Sequence, residues 1–120
     1  MKVRAIRGAT TVDVDSKAAI EEAVVDLIRT LLSKNELVEE DLISLLFTST
    51  PDLTSEFPAT AARSAGLADT PLICAQELDI QEALPRTIRV MVHAYSVREK
   101  NQIEHIYLNG AVSLRKDLNR

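Results

Sequence analysis

Four arginines, accompanied by an acid and a tyrosine, are the residues of this sequence best suited to binding a ligand. They lie on or beside predicted strands, and the set comprises Arg7, Arg63, Arg89 and Arg115 with Glu77 and Tyr107. The guanidinium group is a rigid fork of donors that matches carboxylates and phosphates better than the point charge of lysine does. The set therefore predicts a site for a small carboxylate, although each side chain alone also fits a solvent-exposed position.

Other kinds of catalytic chemistry have little support in the sequence. Neither His93 nor His105 has a second metal ligand three or four residues away, and the 3 glycines are too scattered to form a phosphate-binding loop. Cys74 has no predicted helix start beside it to activate its thiol, and it also fits a small buried apolar position. A nucleophilic triad assembled in space stays open. We predict no metal site and no cofactor.

Charge is distributed unevenly along the chain. The net charge is -4, from 14 basic and 18 acidic residues, which argues against nucleic acid or an anionic membrane as a partner. Residues 1–11 carry +3, residues 12–56 carry -8 and residues 57–120 carry +1. The acidity thus lies mainly in the first predicted helix and the loop after it, where it is typical of a solvated face.

Length and composition predict a single domain over residues 1–120. Hydrophobic residues make up 46% and charged residues 27% of the chain, which is an ordinary globular balance. The single cysteine permits no internal disulfide, and the sequence contains neither a signal peptide nor the run of about 20 apolar residues that spans a membrane. We expect a cytoplasmic protein.

Periodicity predicts the elements that position the candidate residues, in the order β-α-β-α-β-β-β. Alternation predicts strands over residues 2–12, 42–48, 71–75, 87–95 and 103–108, with a continuation of the last strand to Leu114 left open. Apolar residues at helical spacing predict a helix from about Ile20 to Leu32, capped by Asp15 or Ser16. A second helix begins at Pro58, with Gly66 as its C-terminal cap.

The alternation also predicts which sheet face each arginine occupies. Arg7 has the parity of small apolar residues in the first strand, and Arg89 lies opposite the face of Ile88 and Val90. The second strand is apolar on both parities, which predicts cover on both of its faces. Two helices cover only one face of the sheet, and aromatic residues are only 3% of the chain, so we expect neighbouring subunits to cover the other face.

Taken together, these segments resemble the small monofunctional chorismate mutases of the trimeric α/β class, which is distinct from the all-helical class. The resemblance runs through nearly the whole chain in the order of the family. The matching segments are Arg4-x-x-Arg7-Gly8-Ala9-Thr10-Thr11, Thr50-Pro51-Asp52-Leu53, Phe57-Pro58-Ala59 with Arg63, Pro71 to Asp79, Ile88-Arg89-Val90-Met91, Ile106-Tyr107-Leu108, and Ala111 to Leu118.

The resemblance implies an isomerase that converts chorismate to prephenate by a concerted Claisen-type rearrangement, on the route to phenylalanine and tyrosine. It implies an α/β fold of the α+β kind, in which a mixed five-stranded sheet carries two main helices on one face. It also implies a homotrimeric pseudo α/β-barrel with three equal sites between subunits. No cofactor, metal, nucleic acid or membrane enters this scheme.

The resemblance further implies a role for each candidate residue. Arg89 is expected to meet the ether oxygen and a carboxylate, while Glu77 and the Cys74 region hold the ring hydroxyl. Arg7 and Tyr107 are expected to hold the side-chain carboxylate. The catalytic residues of this scheme are Arg89, Glu77 and Arg7. The remaining residues line the pocket or assist binding of the dianion: Phe57, Leu114, Arg63 and Arg115.

Two other functions remain open at this point. The first is a trimeric imine or enamine deaminase of similar size, which also binds a carboxylate through an arginine but needs an activated water. The second is a non-enzymatic module that binds small acids. The sequence departs from the family pattern where Lys116 stands in place of a common proline and where the chain ends at Arg120, since relatives often have a longer tail.

Overall fold

One mixed sheet of five strands, in the order β3-β2-β4-β1-β5, forms the centre of the molecule. The computed structural model describes residues 1–118, and their side chains as far as Leu114. The strands are β1 (Lys2–Thr11), β2 (Leu42–Ser49), β3 (Leu72–Gln76), β4 (Thr87–Ser96) and β5 (Ile106–Tyr107). The α-helices are α1 (Lys17–Lys34) and α2 (Pro58–Ser64). Three 3-10 helices span Glu39–Asp41, Lys100–Gln102 and Asn109–Leu118.

Strand β4 lies between β2 and β1 and is antiparallel to both of them. The outer strands pair in parallel, β3 with β2 and β5 with β1. The sheet is therefore mixed, as expected, and its first four strands follow the predicted ranges to within a residue or two. None of the helices in the described part of the chain is long and apolar enough to cross a lipid bilayer.

Helix α1 begins at the predicted cap. The Ser16 hydroxyl accepts a hydrogen bond from the Ala19 N–H at 3.1 Å, which satisfies one of the donors that every helix start leaves unpaired. The buried residues of α1 recur every three or four positions and form the stripe that packs on the sheet. They are Ile20, Ala23, Val24, Leu27, Ile28 and Leu31. The predicted helix is confirmed.

Helix α2 ends in a Schellman motif. Gly66 has a φ of 105°, its N–H bonds to the Arg63 carbonyl, and the Leu67 N–H bonds to the Ala62 carbonyl. Glycine adopts this positive φ without the clash that a β-carbon would cause. The predicted role of Gly66 is confirmed.

The core lies between the helices and one face of the sheet. Side chains on this helix-covered face include Phe47 and Val90, which are 0% and 3% exposed. Gly8 lies on the same face, where an added β-carbon would approach Val90 Cγ1 to 3.0 Å and the Cδ1 atoms of Leu27 and Leu31 to 3.2 Å. The absence of a side chain at Gly8 therefore lets α1 pack directly on β1.

The opposite face of the sheet is left uncovered over much of its area by the single chain. Leu46, Ile73 and Tyr95 are 38%, 67% and 48% exposed on this open face, whereas Leu45 of the same strand as Leu46 is 2% exposed. The prediction that β2 is covered on both faces is therefore wrong for the single chain, because both helices pack on the same side. The expectation of an uncovered face is confirmed.

The fifth strand is much shorter than predicted. Pairing with β1 is confined to Ile106 and Tyr107, and the possible continuation to Leu114 is instead part of a 3-10 helix. The chain turns at Asn109, which has a φ of 53° and donates a side-chain hydrogen bond to Thr10 Oγ1. Because the Gly110 N–H bonds to Thr11 Oγ1, the chain crosses the end of β1 rather than running along it.

Replacement of Gly8 by alanine is expected to destabilise the protein by about 1–3 kcal/mol, because the added methyl overpacks the contact between α1 and the sheet. Urea unfolding at a fixed protein concentration measures the change. Ser33→Ala, on the exposed surface of α1, is the control and should leave the midpoint nearly unchanged. Equal midpoints for Gly8→Ala and the native protein would contradict the close approach.

Candidate active site

Arg7 and Arg89 lie on adjacent strands and on the open face, as their parity predicts. Arg89 pairs with Ala9 of β1 and with Thr48 of β2, and cross-strand partners share a face. A cavity of about 280 Å³ opens here, and we refer to it as the arginine cavity. Its lining includes Arg7, Thr48, Arg89, Met91, Tyr107 and Leu114.

An ion pair fixes the guanidinium of Arg89. Its Nε donates to Glu77 Oε1 at 3.1 Å, and Glu77 is itself held by the Thr48 hydroxyl, which donates to Oε2 at 2.9 Å. The Glu77 side chain is 15% exposed and that of Arg89 is 45% exposed. Among the described residues, the terminal nitrogens of Arg89 form no ion pair. Nε is therefore used for orientation, and the terminal nitrogens remain for a ligand.

Glu77 reaches this position because the chain continues past the end of β3 alongside β2. The Glu77 N–H donates to the Ser49 carbonyl at 2.9 Å, which extends the parallel pairing of β2 and β3 by one step. Alternation then places Glu77 on the same face as Ala75, the partner of Thr48. Thr48 and Glu77 thus converge on Arg89 from two strands.

Tyr107 and Leu114 close one side of the arginine cavity. Tyr107 pairs with Ala9, and the next residue, Leu108, donates its N–H to the Ala9 carbonyl at 2.9 Å. The 3-10 helix that follows carries Leu114 over the end of β1. The positions of the Tyr107 and Leu114 side chains therefore depend on the junction between β1 and β5.

A second cavity, of about 370 Å³, contains two of the other predicted site residues. We call it the Phe57 cavity, because Phe57 lines it and is 68% exposed. Cys74 also lines it; its Sγ accepts the Ala59 N–H at 3.3 Å at the start of α2. Since Cys74 pairs with the buried Phe47, it faces the helices, and Glu77 faces the other way. Within one chain, Cys74 and Glu77 therefore do not meet.

The remaining two predicted arginines lie elsewhere. Arg63 is exposed on α2 and lines neither cavity. The Arg115 backbone belongs to the last 3-10 helix, but its side chain lies outside the described side chains, so its predicted role stays a prediction. The chain thus brings together Arg7, Arg89, Glu77, Tyr107 and Leu114, and separates them from Phe57, Cys74 and Arg63.

Asp15 anchors the loop that leads to Phe57. Its carboxylate accepts hydrogen bonds from the N–H groups of Thr54 and Ser55 and from the Thr54 hydroxyl, at 2.9 to 3.2 Å. Loss of hydration raises the pKa of Asp15, but these hydrogen bonds outweigh that effect and lower the pKa below its ordinary value. Asp15, one of the two predicted helix caps, is therefore a loop anchor instead.

The Thr-Pro-Asp segment of the sequence fixes the start of β4. The Thr50 hydroxyl donates to Asp52 Oδ1 and accepts the Thr87 N–H at 3.0 Å. The other carboxylate oxygen of Asp52 accepts the Arg86 N–H at 2.9 Å. These bonds hold the end of β2 against the start of β4, two residues before Arg89.

Sequence reasoning missed Thr48 and His105. The signal for Thr48 is its parity with Leu46, which places it on the open face next to Arg89. His105 lies two residues before Tyr107, and its Nδ1 accepts the backbone N–H of Arg7 at 2.9 Å. Partial burial, and secondly the charge of Arg7, lower the pKa of His105 below its ordinary value of 6.5.

A larger cavity lies beside α1, and its acidic lining does not favour an anion. A cavity of about 810 Å³ beside α1 is larger than the arginine cavity, but its lining includes Asp13, Glu21, Glu22 and Asp26. Among the side chains that the structure describes, as far as Leu114, no three of the His, Cys, Asp and Glu types gather into a possible metal site. A small anion is therefore better accommodated in the arginine cavity than in the cavity beside α1.

Comparison with known proteins decides the family. The profile described as chorismate mutase type I matches residues 3–118. The chain belongs to this family. It is 43% identical to the chorismate mutase AroH of Thermus thermophilus over 117 residues, which cover 97% of this chain and 96% of the relative. It is 39% identical to the chorismate mutase AroH of Bacillus subtilis over 119 residues, covering 98% and 94% of the two chains.

A solved structure gives the same result for the chorismate mutase fold. The chorismate mutase of Clostridium thermocellum superimposes with a TM-score of 0.90 at 44% identity, covering 92% of this chain and 98% of that one. The predicted family and the α+β fold with a mixed five-stranded sheet are confirmed. The deaminase and the non-enzymatic module are not favoured.

Proposed function

We propose that this chain converts chorismate to prephenate in a site built around the arginine cavity. The observation that carries the proposal is the fixed guanidinium of Arg89, held through Nε by Glu77, with Arg7 lining the same cavity of about 280 Å³. Chorismate carries two carboxylates, and two guanidinium groups on one sheet face complement that charge. In this proposal residues 1–120 form a single chorismate mutase domain that uses no cofactor.

The reaction needs positioning and electrostatics rather than a nucleophile or a proton relay. As the ether bond lengthens, negative charge gathers on the ether oxygen, and Arg89 stabilises that charge more in the transition state than in the bound substrate. The enclosing side chains hold the flexible substrate in its compact reactive conformer. An acceleration of about 10⁶-fold requires about 8 kcal/mol. One charged donor of this kind contributes roughly 3–4 kcal/mol.

The other residues take roles that fit their places around the cavity. Arg7 and Tyr107 bind the side-chain carboxylate from β1 and β5, and Leu114 covers the apolar side. Glu77 accepts a hydrogen bond from the ring hydroxyl. Its carboxylate oxygens have lone pairs for this bond that are not used by Arg89 and Thr48. The Cys74 region, Phe57 and Arg63 complete the site from a neighbouring subunit, and Arg115 assists binding of the dianion.

We place each site between two subunits of a homotrimer. Two features of the chain support this arrangement. The open face exposes apolar side chains such as Ile73 and Leu46, which a neighbouring subunit would bury. The predicted site residues are also separated: Arg7, Arg89, Tyr107 and Leu114 line the arginine cavity, and Phe57 and Cys74 line the Phe57 cavity. We therefore propose that the two cavities that form one site come from different subunits.

A cytoplasmic location belongs to the same proposal. It is supported by the single cysteine, since a lone thiol that forms no internal disulfide is compatible with a reducing compartment. Neither nucleic acid nor a membrane is part of the proposed activity.

The turnover number should be nearly independent of pH around neutrality and insensitive to heavy water, because no proton is transferred in the rearrangement. Loss of chorismate absorbance measures the rate in both solvents. A bell-shaped profile around neutrality, together with a large solvent isotope effect, would indicate acid–base catalysis and contradict the mechanism.

Replacement of Arg89 by lysine should reduce turnover by about 100-fold or more. Lysine keeps the charge, but a single ammonium cannot bond Glu77 and also present a separate pair of donors to the substrate. Steady-state kinetics with chorismate measures the effect, and circular dichroism confirms folding. Arg29→Lys, on the exposed surface of α1, is the matched control and should keep native turnover.

Subunit mixing tests the shared site. Arg89→Ala and Arg63→Ala remove one group from each proposed half, so each protein should be impaired alone. Refolded together in equal amounts, the two should regain activity, because about a quarter of the interfaces then combine two intact halves. Activity that stays at the average of the two separate proteins would place the whole site within one subunit.

A further inference from the structure

We propose that His105 is a positioning residue that sets the binding geometry of Arg7 and Tyr107, and that it does so only as a neutral imidazole. This inference rests on the proposed function, since its main readout is the affinity of the enzyme for chorismate. It concerns a residue that contacts the backbone of Arg7 and does not line the arginine cavity.

The hydrogen bond of His105 takes the place of a backbone hydrogen bond between β1 and β5. Only two residue pairs join β5 to β1, Gly8 with Ile106 and Ala9 with Tyr107. At the next position along β1, the Arg7 N–H is accepted by the His105 imidazole Nδ1 at 2.9 Å rather than by a backbone carbonyl. The side chain therefore extends the junction by one bond, which joins the backbone of Arg7 to the residue two positions before Tyr107.

Acceptance at Nδ1 requires one protonation state. In the neutral ring the proton must lie on Nε2, whereas the imidazolium has a proton on both nitrogens and can only donate. Protonation would thus place an N–H against the N–H of Arg7. The bond would be lost, and the junction between β1 and β5 would rest on its two remaining residue pairs.

The surroundings of His105 disfavour its protonated form. A cavity of about 390 Å³ next to it is lined by Arg4 of β1, His93 of β4 and Lys100 of the preceding 3-10 helix. Arg7 adds a further positive charge on β1. The neighbouring acid, Glu104, lies 3.8 Å from Arg98.

These surroundings keep the imidazole neutral at physiological pH. Burial and the charge of Arg7 lower the pKa of His105. Just below pH 6.5, His105 is therefore protonated in a larger fraction of unfolded chains than of folded ones. The contribution of His105 to stability is complete above that pH and is lost as the pH falls through the lowered pKa.

Acidification should therefore weaken substrate binding before it affects turnover. Arg7 and Tyr107 hold the carboxylate in the proposal, while Arg89 is fixed separately by Glu77. Loss of the His105 bond should raise KM for chorismate by about 5- to 10-fold, with a smaller change in kcat, since the hydrogen bond that fixes the backbone of Arg7 is lost. The new positive charge alone would attract a dianion and lower KM, so the direction of the change separates geometry from simple electrostatics.

Two variants and one control test the role with the full-length enzyme. His105→Asn supplies an amide oxygen near the position of Nδ1 and does not titrate. It should keep a KM within about twofold of native at neutral pH, and its KM should stay flat into acid. His105→Leu removes the acceptor and should show the raised KM at every pH. His93→Asn, which removes the other histidine of the adjacent cavity, should keep the native acid profile.

The amide resonance of Arg7 provides a readout that does not depend on activity. In the native protein its nitrogen shift should titrate with the His105 ring, and in His105→Asn it should not. If the shift titrates but KM does not change, the bond does not set the binding geometry and the positioning role fails, whereas a native protein that does not consume chorismate overturns the proposed function instead. If neither changes, or if KM falls in acid, the positioning role of His105 is overturned.

Discussion

The ion pair between Arg89 and Glu77 is the interaction around which the rest of the site is arranged. A guanidinium on an exposed sheet face would normally sample many orientations, and the cost of ordering it would fall on substrate binding. Here Glu77 holds Nε at 3.1 Å, and Thr48 holds Glu77 at 2.9 Å. The three residues come from β4, the end of β3 and β2. The order β3-β2-β4 therefore brings one oriented cation to the open face.

The two faces of the sheet differ in what they carry: one face packs against the helices, and the other presents Arg7 and Arg89. The helix-covered face has the tight packing, and the contact of α1 with β1 is close enough that Gly8 has no room for a methyl. Rigid packing on the helix-covered face keeps the sheet in place, so the open face can carry charged side chains without a change in the shape of the sheet. The acidic residues of α1 lie on the outer surface, so their charge does not compete directly with Arg7 and Arg89. The net charge of -4 is thus a poor guide to the ligand.

Period-2 alternation predicted the faces of Arg7 and Arg89 correctly, because a strand has only two sides and the apolar side must face the core. Helical spacing predicted α1 correctly because the apolar stripe of a helix must also face the core. Alternation failed at the end of the chain, where the positive φ of Asn109 and its bond to Thr10 redirect residues that look like a strand. It could not place Glu77 relative to Cys74 either, since Glu77 lies beyond the predicted strand of residues 71–75 and follows β2 only through the bond of its N–H to the Ser49 carbonyl. His105 was missed because its role is to replace a backbone acceptor, which residue type alone does not reveal.

The position of β1 in the sheet has a consequence for how the protein is made. The first strand to be synthesised lies between the last two, with β4 on one side and β5 on the other. Its partners lie far along the chain; the Arg7 N–H, for example, bonds to a side chain 98 residues later. During translation β1 has two unpaired edges until nearly the whole chain has left the ribosome, and such long-range pairing folds slowly. Arg7 and Arg89 lie on adjacent strands β1 and β4, so the two proposed catalytic charges come together in the same late step that removes these aggregation-prone edges.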